Sequence, residues 1–258
     1  MLNHKQLRLV GVAALLVCLL LDVFLAIHWI IYLVLALVFL GIIAYGSANI
    51  QSQFFIKAIC AGAKNKRQVA LTFDDGPDPE ITPQVLDILK AHQVSAAFFC
   101  IGSKIEQSPE LLRRIHAEGH LIGNHSYSHA YLFDLYPYRK VLAELEQTNQ
   151  SIAKCTGCSP RFFRPPYGVT NPAIAKAVKQ TGQKVIGWNV RSLDTVIKNE
   201  GKLVDRIKRK LQPGSIILLH DTQKALPALL SGLLKYMEQQ EYKVVRLDAL
   251  IDKKEMEL

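Results

Sequence analysis

The chain has 258 residues and a formal net charge of +9, and half of its residues are hydrophobic. The apolar excess lies in the first fifty residues, and the remainder has the mixed composition of a globular domain, which excludes a disordered or fibrous protein. The basic residues show neither the interleaved aromatics nor the reading motif of nucleic-acid binders, so the sequence predicts no nucleic-acid partner. Five cysteines, an odd number, argue against a complete disulfide framework.

The N-terminal stretch over residues 7–48 contains one acidic residue and, after Arg8, no lysine or arginine. As a single helix it would be about 60 Å long, twice the thickness of the hydrocarbon core of a membrane. A break near His28 therefore predicts a hairpin of two transmembrane helices, near 7–27 and 30–48. A cleaved signal peptide is the alternative, although the apolar run is far longer than the core of such a peptide.

The charges around this hairpin predict its orientation. Basic residues precede it at Lys5 and Arg8 and follow it between residues 57 and 67, while the turn has none. The positive-inside rule places both flanks in the cytoplasm, whereas a single or cleaved span would place the remaining domain outside. The predicted location is a bacterial cytoplasmic membrane, with the lipid bilayer as a partner and residues 1–60 as the membrane anchor.

After the anchor, short apolar runs alternate with stretches of helical periodicity. The apolar runs that indicate strands are 69–75, 96–101, 121–124, 161–163, 184–190, 215–220 and 242–247. The stretches that indicate helices are 82–93, 109–118, 138–154, 172–181, 202–211 and 224–239. This alternation predicts an α/β fold, a distorted (β/α) barrel of about seven parallel strands over residues 61–258, with an open doubly wound sheet as the alternative. In both folds, active-site residues gather at the carboxyl ends of the strands.

Ionisable side chains follow five of the predicted strands. They are Asp74 and Asp75 after the first, His125 and His129 after the third, Arg164 after the fourth, Asp194 after the fifth, and His220 with Asp221 after the sixth. In a closed barrel these side chains converge on one mouth. Two imidazoles and one carboxylate form the open type of catalytic zinc site, and a further histidine could protonate a leaving group.

Local spacing bears on how these groups meet. His125 and His129 are four residues apart, one helical turn, and at that spacing both rings can reach the same ion. Asp74 and Asp75 would face opposite sides of an extended strand, so we expect the backbone to loosen at Gly76 and bring both carboxylates to one cavity. The two carboxylates could be acid and base, two metal ligands, or one of each.

Four motifs follow the predicted strands, and they are Thr72-Phe-Asp-Asp-Gly76, His125-Ser-Tyr-Ser-His129, Arg164-Pro-Pro-Tyr167 and Leu218-Leu-His220. Their order resembles that of the NodB-like polysaccharide deacetylases, carbohydrate esterase family four, which includes peptidoglycan and chitin deacetylases. The chain from about residue 67 to 250 resembles this family.

The resemblance implies a role for each matching residue. Asp75, His125 and His129 would hold a divalent metal, usually Zn²⁺. Asp74 would be the general base, Arg164 would hold Asp74 in place, and His220 would be the general acid. The N–H of Tyr167 would stabilise the oxyanion and Leu218 would line the acyl pocket, and Pro165 and Asp194 are placed with these substrate-binding residues.

The fifth-strand region departs from the family pattern. Arg191 and Thr195 stand where the family commonly has an aspartate and an aromatic residue. The acid that usually orients the catalytic histidine is therefore absent from its place, and Asp194 or Asp221 is its substitute.

The sequence thus predicts metal-dependent hydrolysis of N-acetyl groups from amino-sugar units of a cell-envelope polysaccharide, such as peptidoglycan or a chitin-like glycan. One alternative keeps the chemistry and moves it to an amino sugar on a lipid carrier at the cytoplasmic face of the membrane. A second alternative is a catalytically inactive glycan-binding module.

Overall fold

Two apolar helices open the chain in the computed structural model, which describes residues 3–26 and 28–251. They are α1 (His4–Leu25) and α2 (Trp29–Ala48), and both are long and apolar enough to cross a membrane. Most of their large aliphatic side chains are exposed, as expected of helices that do not belong to a soluble core. The two helices correspond to the predicted spans, except that residue 27, the predicted end of the first, lies outside the described residues.

The rest of the described chain is built around one sheet of nine strands. In chain order these are β1 (Ala58–Ile59), β2 (Gln68–Asp74), β3 (Ala97–Cys100), β4 (Leu121–Asn124), β5 (Phe162–Phe163), β6 (Lys184–Ile186), β7 (Val190–Arg191), β8 (Ile216–His220) and β9 (Lys243–Val244). Their order across the sheet is β1-β6-β5-β4-β3-β2-β8-β7, β9 pairs with the start of β2, and every ladder is parallel. The predicted distorted α/β barrel of parallel strands is confirmed.

The strand count differs from the prediction at two places. The apolar run 184–190 divides into β6 and β7, which pair with different neighbours. β1 was not predicted, because its two paired residues are too few to show a period. Ala58 pairs with Val185 of β6, so the predicted boundary after residue 60 cuts off a strand of the sheet, and we propose that the domain begins near residue 49.

Helices cover the strands, and most follow the predicted periodicity. They are α3 (Ile81–Ala91), α4 (Gly102–Gln107), α5 (Pro109–Ala117), α6 (Tyr138–Thr156), α7 (Pro172–Thr181), α8 (Glu200–Lys210), α9 (Leu226–Gln239) and α10 (Leu247–Leu250). Only α4 and α10 were missed. They have six and four residues, too short for an apolar stripe to repeat.

The two faces of β2 show how the sheet positions its polar residues. Leu71 and Phe73 pack outward under the helices, in the larger apolar core. Ala70 belongs to the second apolar core, which also contains Phe99 and Leu218. Because side chains alternate along a strand, the face of β2 that carries Ala70 ends on the carboxylate of Asp74, at the mouth of the barrel.

Candidate active site

The two adjacent aspartates reach one cavity through an unusual backbone turn. Asp74 is the last residue of β2 and its side chain is buried, whereas Asp75 has φ of +73°, in the left-handed region that non-glycine residues rarely adopt. The expected convergence therefore occurs, but it is produced at Asp75 itself and not by loosening at Gly76. A backbone strained in this way is held by its surroundings and is common at functional sites.

The two histidines also meet by a route that the sequence did not indicate. The segment from His125 to His129 is a loop after β4 and not a helical turn, so the prediction of one helical turn is wrong. Ser126 and His129 have φ of +64° and +46°, and these two left-handed residues fold the loop back on itself. The ring centroids consequently lie 4.8 Å apart.

Asp75, His125 and His129 form a group with the geometry of a cation site. The Nε2 atoms of His125 and His129 lie 3.4 and 3.3 Å from the same carboxylate oxygen of Asp75, and one ligand atom from each residue lies within 4.8 Å of the others. That oxygen, Oδ1, is buried without a hydrogen-bond partner. A buried acceptor that faces two imidazole nitrogens fits an open zinc site of the two-histidine, one-carboxylate type.

A further contact orients the first histidine toward this position. The Nδ1 of His125 lies 2.8 Å from the backbone carbonyl of Arg164, to which it donates. A donating Nδ1 leaves the lone pair on Nε2, the atom that faces Asp75, free to bind a metal.

The charges of the group suit a cation as well. Burial lowers the pKa of His129 to about 4, helped by the charge of His125, so this ring is neutral near pH 7. Burial opposes the charged form of Asp75, but the charges of His125 and of the other nearby histidines hold the pKa of this carboxyl well below its usual range. Burial likewise lowers the pKa of His125, but Asp74 and Asp75 raise it overall, so a metal would displace a proton from this ring.

Arg164 holds Asp74 from inside the barrel. Its side chain is fully buried, and its Nη1 donates to Oδ1 of Asp74 at 2.6 Å and to the hydroxyl of Thr72 at 2.8 Å. Its Nε and Nη2 donate to the carbonyls of Ile186 and Gly187, and its guanidinium lies 4.1 Å from the centroid of Phe99. The second carboxylate oxygen of Asp74 faces the metal group, at 3.8 Å from the Nε2 of His125.

His220 is fixed by Asp194, and this corrects the placement of Asp194 among the substrate-binding residues. The Nδ1 of His220 lies 2.7 Å from Oδ1 of Asp194, and its backbone N–H donates to Oδ2 at 2.7 Å. Asp194 is buried behind the ring and also accepts from the hydroxyl of Ser192. Burial alone would lower the pKa of His220, but the hydrogen bond and charge of Asp194, with the more distant aspartates at the mouth, raise it to about 9.

Asp221, the other candidate substitute, has different partners. Its Oδ2 accepts from the hydroxyl of Thr82 at 2.5 Å, and complete burial raises its pKa to about 7. A Cβ on Gly76 would lie 2.2 Å from the same oxygen, so only glycine allows the loop after Asp75 to pass over this carboxyl. Asp221 therefore packs beneath that loop, and Asp194 is the acid that contacts His220.

The predicted substrate-binding residues line the same mouth to different extents. Tyr167 is half exposed, has φ of +60°, and its ring packs edge-on to His129 at 4.8 Å. Leu218 and Pro165 are buried, Leu218 in the second apolar core. Arg191 and Thr195 are both exposed, and the guanidinium of Arg191 lies 5.9 Å from the centroid of the Trp188 ring.

Known deacetylases are similar to this chain in sequence. Residues 61–186 match the family model described as polysaccharide deacetylase. Peptidoglycan-N-acetylglucosamine deacetylase PgdA of Listeria monocytogenes is 36% identical over 192 residues, which cover 74% of this chain and 40% of PgdA. Peptidoglycan-N-acetylmuramic acid deacetylase PdaA of Bacillus subtilis is 34% identical over 205 residues, 78% of each chain. The chain belongs to the polysaccharide deacetylase family.

Solved structures of family members share the fold. The structure of Bacillus subtilis PdaA, a family 4 carbohydrate esterase, has a TM-score of 0.69 and 32% identity, and covers 76% of this chain and 86% of PdaA. The structure of wild-type BA3943 from Bacillus anthracis, a pseudoenzyme of the same family, matches with a TM-score of 0.71 and 29% identity. The match covers 76% of this chain and 69% of the BA3943 chain. Membership in this family therefore does not by itself establish activity, which depends on the residues that occupy the site.

Glu144 of α6 supports the loop from His125 to His129, which we call the metal loop, and this role was not predicted from the sequence. Its Oε2 accepts from the backbone N–H groups of Tyr127 and Ser128 at 3.0 and 2.7 Å, and its Oε1 accepts from the hydroxyl of Ser128 at 2.8 Å. One carboxylate thus holds the loop between the two histidines. Nothing in the spacing of an acid on an amphipathic helix distinguishes this glutamate from a solvated one.

We expect Glu144→Ala to weaken zinc affinity by roughly 10–100-fold, because outer residues that hold the ligands in place have effects of this size. Competition titration against a chromophoric chelator measures the change. Glu146→Ala is the matched control, since Glu146 lies two residues along the same helix and is exposed. Equal zinc affinity in the two variants would show that Glu144 does not position the ligands.

Proposed function

We propose that this protein is a metal-dependent deacetylase that hydrolyses N-acetyl groups on amino-sugar units of a cell-envelope polysaccharide. The observation that carries the proposal is the completeness of the site. One mouth contains a group of metal-binding geometry, a carboxylate held by a buried arginine, and a histidine held by a buried aspartate. Each task of amide hydrolysis has one candidate residue there. The named activities of the relatives support the substrate class.

The residues of the chain divide the proton transfers between them. A divalent ion, which we propose to be Zn²⁺, would supply Lewis-acid activation of a water and of the acyl carbonyl when bound by Asp75, His125 and His129. Asp74 takes the proton of the attacking water on the oxygen that does not bind Arg164. His220 donates a proton to the departing amine, and the backbone N–H of Tyr167 stabilises the oxyanion. Asp74 and His220, the proposed base and acid, are register partners on the neighbouring strands β2 and β8.

The test uses the full chain in detergent, stripped with a chelator and reloaded with zinc. We expect acetate release from peptidoglycan or chitin oligomers by the zinc-loaded protein only, with one free amine formed for each acetate. The inactive glycan-binding module remains the rival function, because a pseudoenzyme has the same fold. Binding of these glycans without acetate release by the zinc-loaded protein would establish that rival.

The pH dependence of the rate tests the acid assignment. His220 must be protonated to act, and its raised pKa keeps it protonated at neutral pH, so the rate falls as the pH rises through the pKa of His220. Asp194→Asn removes the charge that stabilises the imidazolium, so we expect the alkaline limb of the kcat profile to move to lower pH. The charge of a bound metal acts on both proteins alike and does not change this direction. An unmoved limb in an active variant would exclude His220 as the acid.

We also propose that α1 and α2 anchor the domain in the cytoplasmic membrane. The flanking charges favour both flanks in the cytoplasm, where the domain would reach an amino sugar on a lipid carrier, whereas a domain on the outer side would reach the assembled polysaccharide. The apolar exposed surface of the helices and the basic residues on either side support this arrangement. An enzyme reporter that folds only in the cytoplasm, fused after residue 258, should be active. Activity of a reporter that requires export would place the domain outside.

A further inference from the structure

Exposed apolar side chains lie in the segments that carry residues of the active site. Among the described residues after Ala48, the exposed large hydrophobic side chains all lie in segments that follow the carboxyl ends of the strands. They are Tyr131, Leu132 and Leu135 after β4, Tyr167 after β5 and Val196 after β7, with exposed fractions of 85, 52, 73, 45 and 68%. Exposed large apolar side chains confined to one face indicate an interaction surface. We call this group the apolar rim.

Hydrogen bonds between the loops of the apolar rim join it to the metal site. The hydroxyl of Tyr167 donates to the carbonyl of His129 at 3.4 Å, and the side-chain amide of Asn171 donates to the carbonyl of Asp134 at 2.5 Å. The loop after β4 and the loop after β5 are thus tied to each other, and both carry residues of the site. Whatever contacts the apolar rim is in position to control access to the metal group.

The end of α2 is fixed to the same side of the domain. Ser47 donates through its hydroxyl to the carbonyl of Thr170 at 2.6 Å, and its own carbonyl accepts from the N–H of Thr170 at 3.0 Å. The side-chain amide of Gln51 donates to the carbonyl of Trp188 at 2.8 Å, and Ile50 is buried in the second apolar core. These contacts attach the last turn of a membrane helix directly to the domain, without a flexible linker.

Chain length limits how far the mouth can lie from that helix. Thr170 follows Tyr167 by three residues, so their Cα atoms are at most about 11 Å apart. The start of α1 lies beside the end of α2, since the N–H of His4 donates to the carbonyl of Phe54, and this level of the hairpin also has the cations Lys5 and Arg8. Cations at the end of a membrane helix lie at the level of anionic lipid headgroups.

We propose that the mouth of the active site faces the bilayer, with the apolar rim in contact with it, and that the substrate is an N-acetylated amino sugar attached to a membrane lipid. This inference rests on the proposed deacetylase function and membrane anchor. Three of the five side chains of the apolar rim are aliphatic, which suits acyl chains better than the sugar faces on which aromatic rings stack. Tyr131 has the amphipathic ring typical of a membrane interface.

The test compares one protein on two substrates. The zinc-loaded full chain is placed in vesicles of phosphatidylethanolamine and phosphatidylglycerol, and acetate release is measured on N-acetylglucosamine linked through phosphate to a long-chain isoprenoid, and on soluble chitotetraose. We expect a higher kcat/KM on the lipid-linked sugar. The Leu132→Ser, Leu135→Ser double variant should lose about tenfold of that activity and retain the soluble activity within about twofold, because it removes apolar area from the bilayer contact only.

The outcomes distinguish the proposed deacetylase function from the inference that the substrate is lipid-linked. If both activities of the variant fall together, with zinc content and thermal midpoint unchanged, the apolar rim is a glycan subsite and the inference is wrong. If the wild-type protein deacetylates chitotetraose but not the lipid-linked sugar, the proposed function stands and the inference fails. If neither substrate is deacetylated, the proposed deacetylase function is wrong, and the inference that rests on it is wrong as well. Gln51→Ala, which loosens the attachment of α2, should lower the lipid-linked activity in the same selective way.

Discussion

Asp74→Asn is expected to reduce kcat by about 10²–10⁴-fold, the usual contribution of a general base, while zinc content stays unchanged. The amide cannot accept the proton of the attacking water, but its oxygen can still accept the hydrogen bond from Arg164 that the carboxylate accepts now. Acetate release under saturating substrate and zinc analysis of the same sample measure the two quantities.

Asp75→Asn is the matched control, because the two aspartates are adjacent and differ in what they face. Both Nε2 atoms of the histidine pair lie nearest to a carboxylate oxygen of Asp75, so this variant should lose zinc together with activity. The sequence left open whether the pair is acid and base, two ligands, or one of each. Loss of zinc from Asp74→Asn would make Asp74 a ligand and would remove it as the base.

The sequence predicted which groups meet because strand and helix alternation fixes the end of the sheet at which loops converge. Asp74, His125, Arg164 and His220 could therefore be placed together from their positions after strands. The local means of convergence could not be predicted. Left-handed backbone at Asp75 and His129 is costly for residues with side chains, and it persists only because the surrounding contacts hold it.

Contacts between distant elements account for the other differences. Asp194 and Asp221 were equivalent candidates in the sequence, and only the folded chain brings the first to His220 and the second to Thr82. Glu144 is an ordinary helical acid until the metal loop packs against it. Thr72 had a signal that could have been used, since a hydroxyl inside a buried apolar strand needs a partner, and here it accepts from Arg164.

Arg164→Met should destabilise the protein by about 3–5 kcal/mol, since removal of one partner of a buried ion pair leaves an uncompensated charge. The carboxylate of Asp74 would remain buried, and the carbonyls of Ile186 and Gly187 would lose their donors. For a domain of this size, the thermal midpoint should fall by roughly 10 °C, measured by circular dichroism in detergent. The activity should fall as well, because the base loses the group that orients it.

The double variant Arg164→Met, Asp74→Asn separates the charge from the packing. If the unpaired carboxylate causes most of the loss, neutralising it should restore part of the midpoint, and the two single effects will not add. Additive losses would instead attribute the effect of Arg164 to its stacking on Phe99 and its bonds to the two carbonyls. Activity should not return in either case, because the base is absent from the double variant. Stability and catalysis thus depend on the same buried pair for different reasons, and the double variant measures the stability part alone.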